Sequence, residues 1–269
     1  MKKSNVGRSS KTPYKHWLLD KELGRQTGIY ANDAIRRKIP TDYNQPLLVI
    51  DMCAGDGAIS EFSEVSSPSI ICKHVAFARG KLKAVMIEKN EYSFISLLAN
   101  IPDDVYDNVT VMNADAADFA PETTANQGVF INCDPNSVNE IPLNNDFINS
   151  LPRFSTMVVT LGCNVSGLKR LSKDKREGWF DYVNMVTESI PSYHDCLICS
   201  ITMDSAQWAY LVRLPRAWSE GSKRMYINAG RKMFKHGVTV FSFNDERDEF
   251  TDQIKRLFLT KKEYASENS

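Results

Sequence analysis

The residues best suited to do chemistry lie in one short segment, in which an acidic residue is followed by two glycines. Asp51 ends the apolar run 47–50, and Gly55 and Gly57 come shortly after it. The run is β-rich, too short for a helix and preceded by Pro46, so it predicts a buried strand of a parallel sheet. Glycine has no Cβ, so the backbone there can turn sharply and approach a ligand. The segment therefore predicts a strand that ends at a site for a nucleotide-like ligand.

The acidic residue narrows the charge of that ligand. In a dinucleotide site a G-x-G-x-x-G turn offers amides to a pyrophosphate, and a carboxylate beside that anion would repel it. Here Asp51 precedes the glycines, and Ser60 stands at the position of the third glycine. A ligand with a cationic end, such as the sulfonium and ammonium of S-adenosylmethionine, fits this pattern better. Dinucleotide binding and a simple tight turn are the alternatives.

Three later segments repeat the pattern of a strand with an acidic residue at or just beyond its end. They are 83–88 with Glu88, 109–112 with Asp115, and 128–134 with Asp134. Helical segments separate the strands, which indicates a βαβ series and a mostly parallel sheet. Ligands bind at the carboxyl edge of such a sheet, where these acids are expected.

This order of features resembles the class I S-adenosylmethionine-dependent methyltransferases, whose first motif is an acidic residue, three others and Gly-x-Gly. The resemblance covers roughly residues 45–205. It implies that Glu88 binds the two ribose hydroxyls and that Asp115 contacts the adenine amino group, with Asp118 as a neighbouring competitor. The implied cofactor-binding residues are Asp51, Cys53, Ala54, Gly55, Gly57, Glu88, Lys89, Asp115, Ala116 and Asp134.

The same resemblance places the catalytic motif directly after the fourth strand. Family members that methylate the exocyclic amine of a base carry (D/N)-P-P-(Y/F/W), whose acid and first proline carbonyl accept the amine hydrogens while the aromatic residue stacks. Asp134 and Pro135 match, whereas Asn136 and Ser137 depart from the motif, and Ser137 cannot stack. We expect Asp134, Pro135 and Asn136 to form the catalytic segment, acting on a base amine or another nitrogen acceptor.

A basic, aromatic segment follows the sixth predicted strand. Strands five to seven are predicted at 156–161, 195–202 and 238–243, and the last two are expected to pair antiparallel. Between these two, residues 203–236 carry seven Lys or Arg against two acids, interleaved with aromatic residues. Cations for phosphates and aromatic faces for bases are what single-strand or flipped-base recognition needs. The expected substrate-binding residues are Trp208, Arg213, Arg216 and Arg224, and a basic subdomain with its own aromatic core is the alternative.

Together these elements predict an α/β protein with a Rossmann-like, seven-stranded, mostly parallel sheet, flanking helices and a basic subdomain inserted between strands six and seven. With 269 residues and 42% hydrophobic composition, the chain can bury one sizeable core. Four regions are expected. They are a flexible head with capping helices (1–45), the core with the cofactor site (46–202), the substrate-binding insertion (203–236), and a last strand with a C-terminal helix or tail (237–269).

The net charge of zero hides a segregation of charge. Residues 1–40 carry 10 basic and 3 acidic side chains, 41–160 carry 6 and 16, and 161–269 carry 17 and 14. An acidic cofactor half with basic flanks suits an enzyme whose flanks meet an anionic substrate, although solubility alone also produces charged faces.

Several classes of protein are disfavoured by the sequence. No eighteen apolar residues run together, and the basic N-terminus has no apolar segment behind it, so we expect no membrane association and a cytoplasmic location. The scattered cysteines are typical of buried thiols in a reducing compartment. Cys196 and Cys199 lie on a predicted strand, where side chains three apart face opposite sides, so no metal site is expected.

Within the class, the chain resembles the three-Cys-motif partner proteins of bacteria and phages. The resemblance depends on the segments around Lys15, Asp51, Ser67-Pro68, Glu88 and Asp134-Pro135, although Gly-Asp-Gly replaces the glycine-proline-glycine turn of that group. It implies a prokaryotic or phage setting and a possible protein partner. We therefore expect an S-adenosylmethionine-dependent methyltransferase that acts on a nucleic acid. A small-molecule methyltransferase and a non-catalytic S-adenosylmethionine-binding partner subunit are the alternatives.

Overall fold

The computed structural model divides the chain into two compact units, Met1–Val159 and Thr160–Ser269. The residues that the structure describes are 12–39, 41–59, 64–134, 147, 150–152, 154–164, 196–203, 206–213, 221 and 238–242. The helices are α1 (Thr12–Ala31), α2 (Asp33–Arg36), α3 (Ser67–Ala78) and α4 (Glu91–Asn100), with 3₁₀ turns at Asp103–Asn108 and Ala116–Asp118. The strands are β1 (Leu47–Asp51), β2 (Leu82–Glu88), β3 (Val109–Asn113), β4 (Gly128–Cys133), β5 (Phe154–Asn164), β6 (Cys196–Met203), β7 (Ala206–Arg213) and β8 (Val238–Ser242).

The first unit is built on a parallel sheet in the order β3-β2-β1-β4-β5. Its central strands are apolar and buried, and β4 is buried at every position, as expected for strands covered on both faces. The predicted Rossmann-like parallel α/β sheet is therefore confirmed. Strands β2 and β3 lie on one side of β1, and β4 and β5 lie on the other, so the strand order reverses between β1 and β4. Ligands bind at such a reversal in open α/β sheets.

Side-chain caps fix where two helices of this unit begin. Ser66 caps α3 by accepting a hydrogen bond from the Ser69 backbone N–H at 3.3 Å, and Pro68 stands near the first helical position. Asn90 caps α4, since its side chain accepts from the Ser93 N–H at 3.0 Å. Both caps follow a turn that leaves the carboxyl edge of the sheet, so they fix the loops at that edge.

Helix α1 lies along the sheet over β4 and β5. The Gln26 side chain donates to the Thr156 hydroxyl of β5 at 3.1 Å, and the Tyr30 ring packs against Gly128 at the start of β4. The Glu22 carboxyl is buried on the same helix, and neither of its oxygens has a hydrogen-bond partner among the described residues. Burial raises the pKa of Glu22 to about 7, against the opposing effect of Arg25. Packing of α1 therefore favours the neutral form of this acid.

A buried arginine holds the segment that leads into β1. The Arg36 side chain is only 2% exposed, and its guanidinium lies over the Tyr30 ring, 4.4 Å from the centroid. It donates to the Thr41 hydroxyl and to the backbone carbonyls of Asp42 and Gln45. The loop is thus tied to α1, which fixes where β1 enters the sheet.

The second unit contains an antiparallel arrangement in which β6 pairs with both β7 and β8. The predicted strands at 195–202 and 238–243, and their antiparallel pairing, are confirmed by β6 and β8. Strand β7 (Ala206–Arg213) was not predicted, so the structure describes eight strands where seven were expected, and β7 lies within the segment 203–236 that the sequence analysis treats as an insertion. Trp208 and Arg213 lie on this strand, opposite Ile201 and Cys196. The rest of the predicted insertion, except Gly221, and the tail beyond 242 lie outside the described residues.

Within the described ranges, the structure contains no helix that combines the length and the apolar character needed to cross a membrane.

Two glycines give a matched test of how α1 packs on β4. A Cβ at Gly128 would lie 1.6 Å from the Tyr30 hydroxyl oxygen and 2.6 Å from Cζ, whereas a Cβ at Gly28 would meet nothing within 4 Å. We expect Gly128→Ala to destabilise the protein by about 1–3 kcal/mol through overpacking. Gly28→Ala lies in the interior of a helix and should stabilise it by about 0.5–1 kcal/mol. Urea denaturation measures both, and equal effects of the two substitutions would contradict the packing described.

Candidate functional site

The predicted acids lie at the carboxyl ends of adjacent strands. Asp51 ends β1, Glu88 ends β2, and Asp134 follows β4. The pairing places Asp51 beside Asn132 of β4 and Glu88 beside Asn113 of β3. The strand ends therefore form one polar edge, on both sides of the reversal between β1 and β4.

Asp51 is fully buried at this edge. The Asn132 side-chain amide donates to its Oδ1 at 2.9 Å, whereas its Oδ2 has no hydrogen-bond partner among the described residues. Burial raises the pKa of Asp51 to about 6, and the charge of Asp134 acts in the same direction, while the Ser67 hydroxyl, the Asn132 amide and the Cys53 backbone N–H oppose it. A buried carboxylate oxygen without a partner is costly. A proton or a cationic group of a ligand would remove that cost.

The two glycines after β1 have different roles. Both have left-handed backbones, with φ +68° at Gly55 and +69° at Gly57. A Cβ at Gly57 would lie 2.9 Å from Cδ1 of Leu97, so this glycine lets α4 approach the turn. A Cβ at Gly55 would meet nothing within 4 Å. Gly55 therefore borders open space at the strand edge, as a ligand-facing position requires.

Glu88 closes the glycine turn. Its Oε2 accepts a hydrogen bond from the Gly55 backbone N–H at 2.8 Å, and its Oε1 accepts from the Asn90 N–H at 2.8 Å. Each carboxylate oxygen can accept a second hydrogen bond. Glu88 thus joins the turn after β1 to the start of α4 and still has acceptor capacity for ligand hydroxyls.

A second polar cluster lies at the ends of β2 and β3. The Lys89 ammonium pairs with Asp115 Oδ2 at 2.6 Å, and Asp115 Oδ1 accepts from the Ala117 N–H at 3.0 Å. The hydrogen bond from Lys89 holds the pKa of Asp115 below its usual value. The Asn113 side chain donates to the backbone carbonyls of Glu88 and Lys89. Lys89, Asp115 and the buried Ala116, all predicted site residues, therefore lie together.

Asp134 is held by a residue from α1. Its Oδ2 lies 2.6 Å from the Lys15 ammonium, and the two side chains are 22% and 7% exposed. Lys15 was not predicted as a site residue, because nothing in the sequence links positions 119 apart. Asn132 and Asn113 were missed for a similar reason, since an asparagine within a strand carries no motif. Pro135, Asn136 and Ser137, and Arg216 and Arg224 of the insertion, lie outside the described residues.

Two thiols lie beside the polar edge. Cys53 follows β1 and Cys133 ends β4, and both are free. The neighbouring Cys133 thiol and burial raise the pKa of Cys53 far above its usual value. Only the thiolate is a strong nucleophile, so Cys53 is not poised for nucleophilic catalysis. In the part of the chain that the structure describes, no group of three or more His, Cys, Asp or Glu residues could hold a metal ion.

The sequence matches no family model and no curated protein. Among solved structures, the chain is similar to protein LPL1258 from Legionella pneumophila, with 11% identity, a TM-score of 0.49 and coverage of 83% of this chain and 96% of that one. It is also similar to cofactor-bound Rv0187 from MTB (16% identity, TM-score 0.43, coverage 79% and 93%). A third is an rRNA methylase from Streptococcus thermophilus (8% identity, TM-score 0.42, coverage 71% and 94%). Similarities at this level assign no function to the chain.

The environment of Asp51 predicts pH-dependent binding of a cationic ligand. The pKa of Asp51 is raised to about 6, so the carboxyl is mostly protonated below that pH. A cation then binds only if the carboxyl first loses its proton, which weakens the binding. The affinity for a cationic ligand at this site should therefore fall by about tenfold between pH 7 and pH 5; S-adenosylmethionine is the probe. Calorimetry across this range measures it, and Asp51→Asn should bind more weakly without the pH dependence. A flat profile for the unmodified protein would show that Asp51 does not face the cation.

Proposed function

We propose that the chain is an S-adenosylmethionine-dependent methyltransferase. The observation that carries this proposal is the buried Asp51, whose Oδ2 lacks a partner among the described residues, beside the open space at Gly55. Both lie where the strand order reverses, which is where open α/β sheets bind ligands. A carboxylate at that position favours a ligand with a positive charge over a pyrophosphate.

The residues present fit the parts of S-adenosylmethionine. Asp51 Oδ2 would receive a cationic end, and a Cβ at Gly55 would intrude on the space that the ligand needs. Glu88, whose oxygens each retain an acceptor position, would bind the ribose hydroxyls. Asp115, with Lys89 and Ala116 beside it, would lie toward the adenine. Cys53, Ala54 and Gly57 would complete the turn around the ligand.

When bound, the cofactor supplies an activated methyl group, and the chain positions the acceptor and excludes water. Asp134 follows β4 and lies close enough to influence the pKa of Asp51. Its carboxylate would accept N–H hydrogen bonds from an amine acceptor and so orient the nitrogen lone pair. We infer that Pro135 and Asn136, which follow directly in sequence, take part in holding the acceptor.

We propose a nucleic acid as the acceptor. Residues 203–236 carry seven Lys or Arg against two acids, and cations combined with aromatic side chains suit phosphates and bases. Trp208, Arg213, Arg216 and Arg224 are the residues proposed for this contact. Two alternatives have support of their own. The net charge of zero favours a small-molecule acceptor, and Asn136 and Ser137 favour a non-catalytic S-adenosylmethionine-binding partner of another protein. Mass spectrometry of DNA and RNA nucleosides, with and without expression of the chain, tests the nucleic-acid acceptor against both alternatives, since only the first predicts a new methylated nucleoside.

The cofactor proposal is tested by a pair of glycine substitutions. Calorimetry should detect binding of S-adenosylhomocysteine to the unmodified chain, and Gly55→Val should abolish it by filling the ligand space. Gly80→Val is the matched control, because Gly80 also has a left-handed backbone, with φ +80°, and open surroundings, but it lies in the turn before β2. Gly80→Val should strain the backbone about as much as Gly55→Val does, yet it should bind S-adenosylhomocysteine as tightly as the unmodified chain. Tight binding of a nicotinamide dinucleotide instead would reverse the proposal.

The acceptor proposal is tested by salt-dependent binding. Changing Arg213, Arg216 and Arg224 together to Ala should weaken binding to single-stranded RNA and DNA of any sequence. It should also flatten the dependence on salt by up to about three phosphate contacts. Changing the exposed Lys38, Arg79 and Lys83 of the first unit to Ala provides a charge-matched control. Unchanged binding by the first variant would leave the segment as a structural or protein-docking element and favour the small-molecule and partner-subunit alternatives.

A further inference from the structure

The amino end of α1 is joined to the carboxyl edge of the sheet by a buried ion pair. Lys15 is the fourth residue of the helix, and its ammonium lies 2.6 Å from Asp134 Oδ2, with 7% of the lysine side chain exposed. Lysine is almost never buried unless it is paired. The structure therefore places a positive charge, from a distant part of the sequence, directly on the acid that follows β4.

Contacts near both ends of α1 fix this position. Tyr30 contacts Gly128 at the first residue of β4, and Lys15 contacts Asp134 just beyond the last. Fifteen helical residues span about 22 Å at 1.5 Å each. Six strand residues span about 20 Å at 3.3 Å each. The helix segment from Tyr30 to Lys15 thus matches β4 in length. The position of Lys15 beside Asp134 is therefore set by how α1 packs on the sheet.

Two negative charges meet at this edge. Asp51 and Asp134 are close enough for the charge of one to affect the other, and the groups that donate toward Asp51, the Ser67 hydroxyl, the Asn132 amide and the Cys53 N–H, are all neutral. The Lys15 ammonium offsets one of the two charges. It also binds Oδ2 of Asp134 at 2.6 Å, which fixes the orientation of that carboxylate and so the direction in which Oδ1 points.

We propose that Lys15 is a positioning residue for the reaction at Asp134, with α1 as a wall of the acceptor site. The ammonium orients the carboxylate so that Oδ1 accepts the acceptor N–H, and it sets the net charge that a bound sulfonium meets. This inference rests on the proposed function, because it needs S-adenosylmethionine at the Asp51 turn. It adds a residue that the motif at 134–137 does not contain.

The charge on the cofactor provides a test that needs no acceptor. S-adenosylmethionine carries a sulfonium, whereas S-adenosylhomocysteine has a neutral thioether at the same place. In Lys15→Met the charge of Asp134 is no longer offset, so the affinity ratio should shift toward S-adenosylmethionine by about fivefold, as expected for charges several ångströms apart near a surface. Lys15→Arg keeps the charge and should retain the parental ratio. The double variant Lys15→Met/Asp134→Asn removes both charges and should return the ratio to within about twofold of the parent.

The outcomes separate the two proposals. If the unmodified chain binds neither compound in calorimetry, the proposed function fails. If it binds both and Lys15→Met changes the two affinities equally, the pair is structural and the role of Lys15 is rejected. Thermal unfolding establishes that each variant folds. Should Lys15→Met fail to fold, the two other variants decide. If the ratio of the affinities for S-adenosylmethionine and S-adenosylhomocysteine in Lys15→Arg or in the double variant departs from the parental ratio by more than about twofold, the inference is overturned.

Discussion

The rest of the site depends on a carboxylate that the fold buries at the end of its central strand. Asp51 is 0% exposed, and it lies between a strand that continues the sheet toward β3 and one that continues it toward β5. Taking a charged group out of water is costly unless hydrogen bonds or an opposite charge replace the lost hydration. Asn132 donates a hydrogen bond to one oxygen, whereas the other oxygen accepts none of good geometry from the described residues, although the Ser67 hydroxyl and the Cys53 N–H lie near enough to lower the pKa of the acid. The surrounding elements hold that acid in place and keep it buried.

The structure around Asp51 supplies polar groups from several directions. Glu88 fastens the glycine turn, and Lys15 binds the neighbouring acid. On the opposite edge, Arg36 ties the loop before β1 to Tyr30 of α1. Helix α1 thus contacts the start of β4 and the residue just after its end, and through Arg36 it also holds the loop before β1. A substitution in α1 would therefore shift side chains at the strand ends even if the substituted residue contacts no ligand.

The sequence predicts much of the first unit because its signals are local. An apolar run that ends in an acid, followed by glycines, defines β1 and its turn, and Glu88 and Asp115 follow from the same pattern. The pairing of Lys15 with Asp134 could not be predicted, since it depends on how a helix lies across the sheet. Arg36 was missed because a buried arginine has the same sequence signature as an exposed one. Strand β7 was missed because its aromatic and basic residues were interpreted by composition, although Gln207, Ala209 and Leu211 alternate with Trp208 and Tyr210 as in a strand.

A crystal structure of the chain with S-adenosylhomocysteine would show whether the turn after β1 binds the cofactor. We expect density at the carboxyl edge of β1, with the ligand ammonium within hydrogen-bond distance of Asp51 Oδ2 and the ribose hydroxyls at Glu88. The backbone of Gly55 should contact the ligand without rearrangement of the turn. A ligand bound elsewhere, or a phosphate-containing nucleotide seated on the glycine turn with Asp51 turned away, would contradict it.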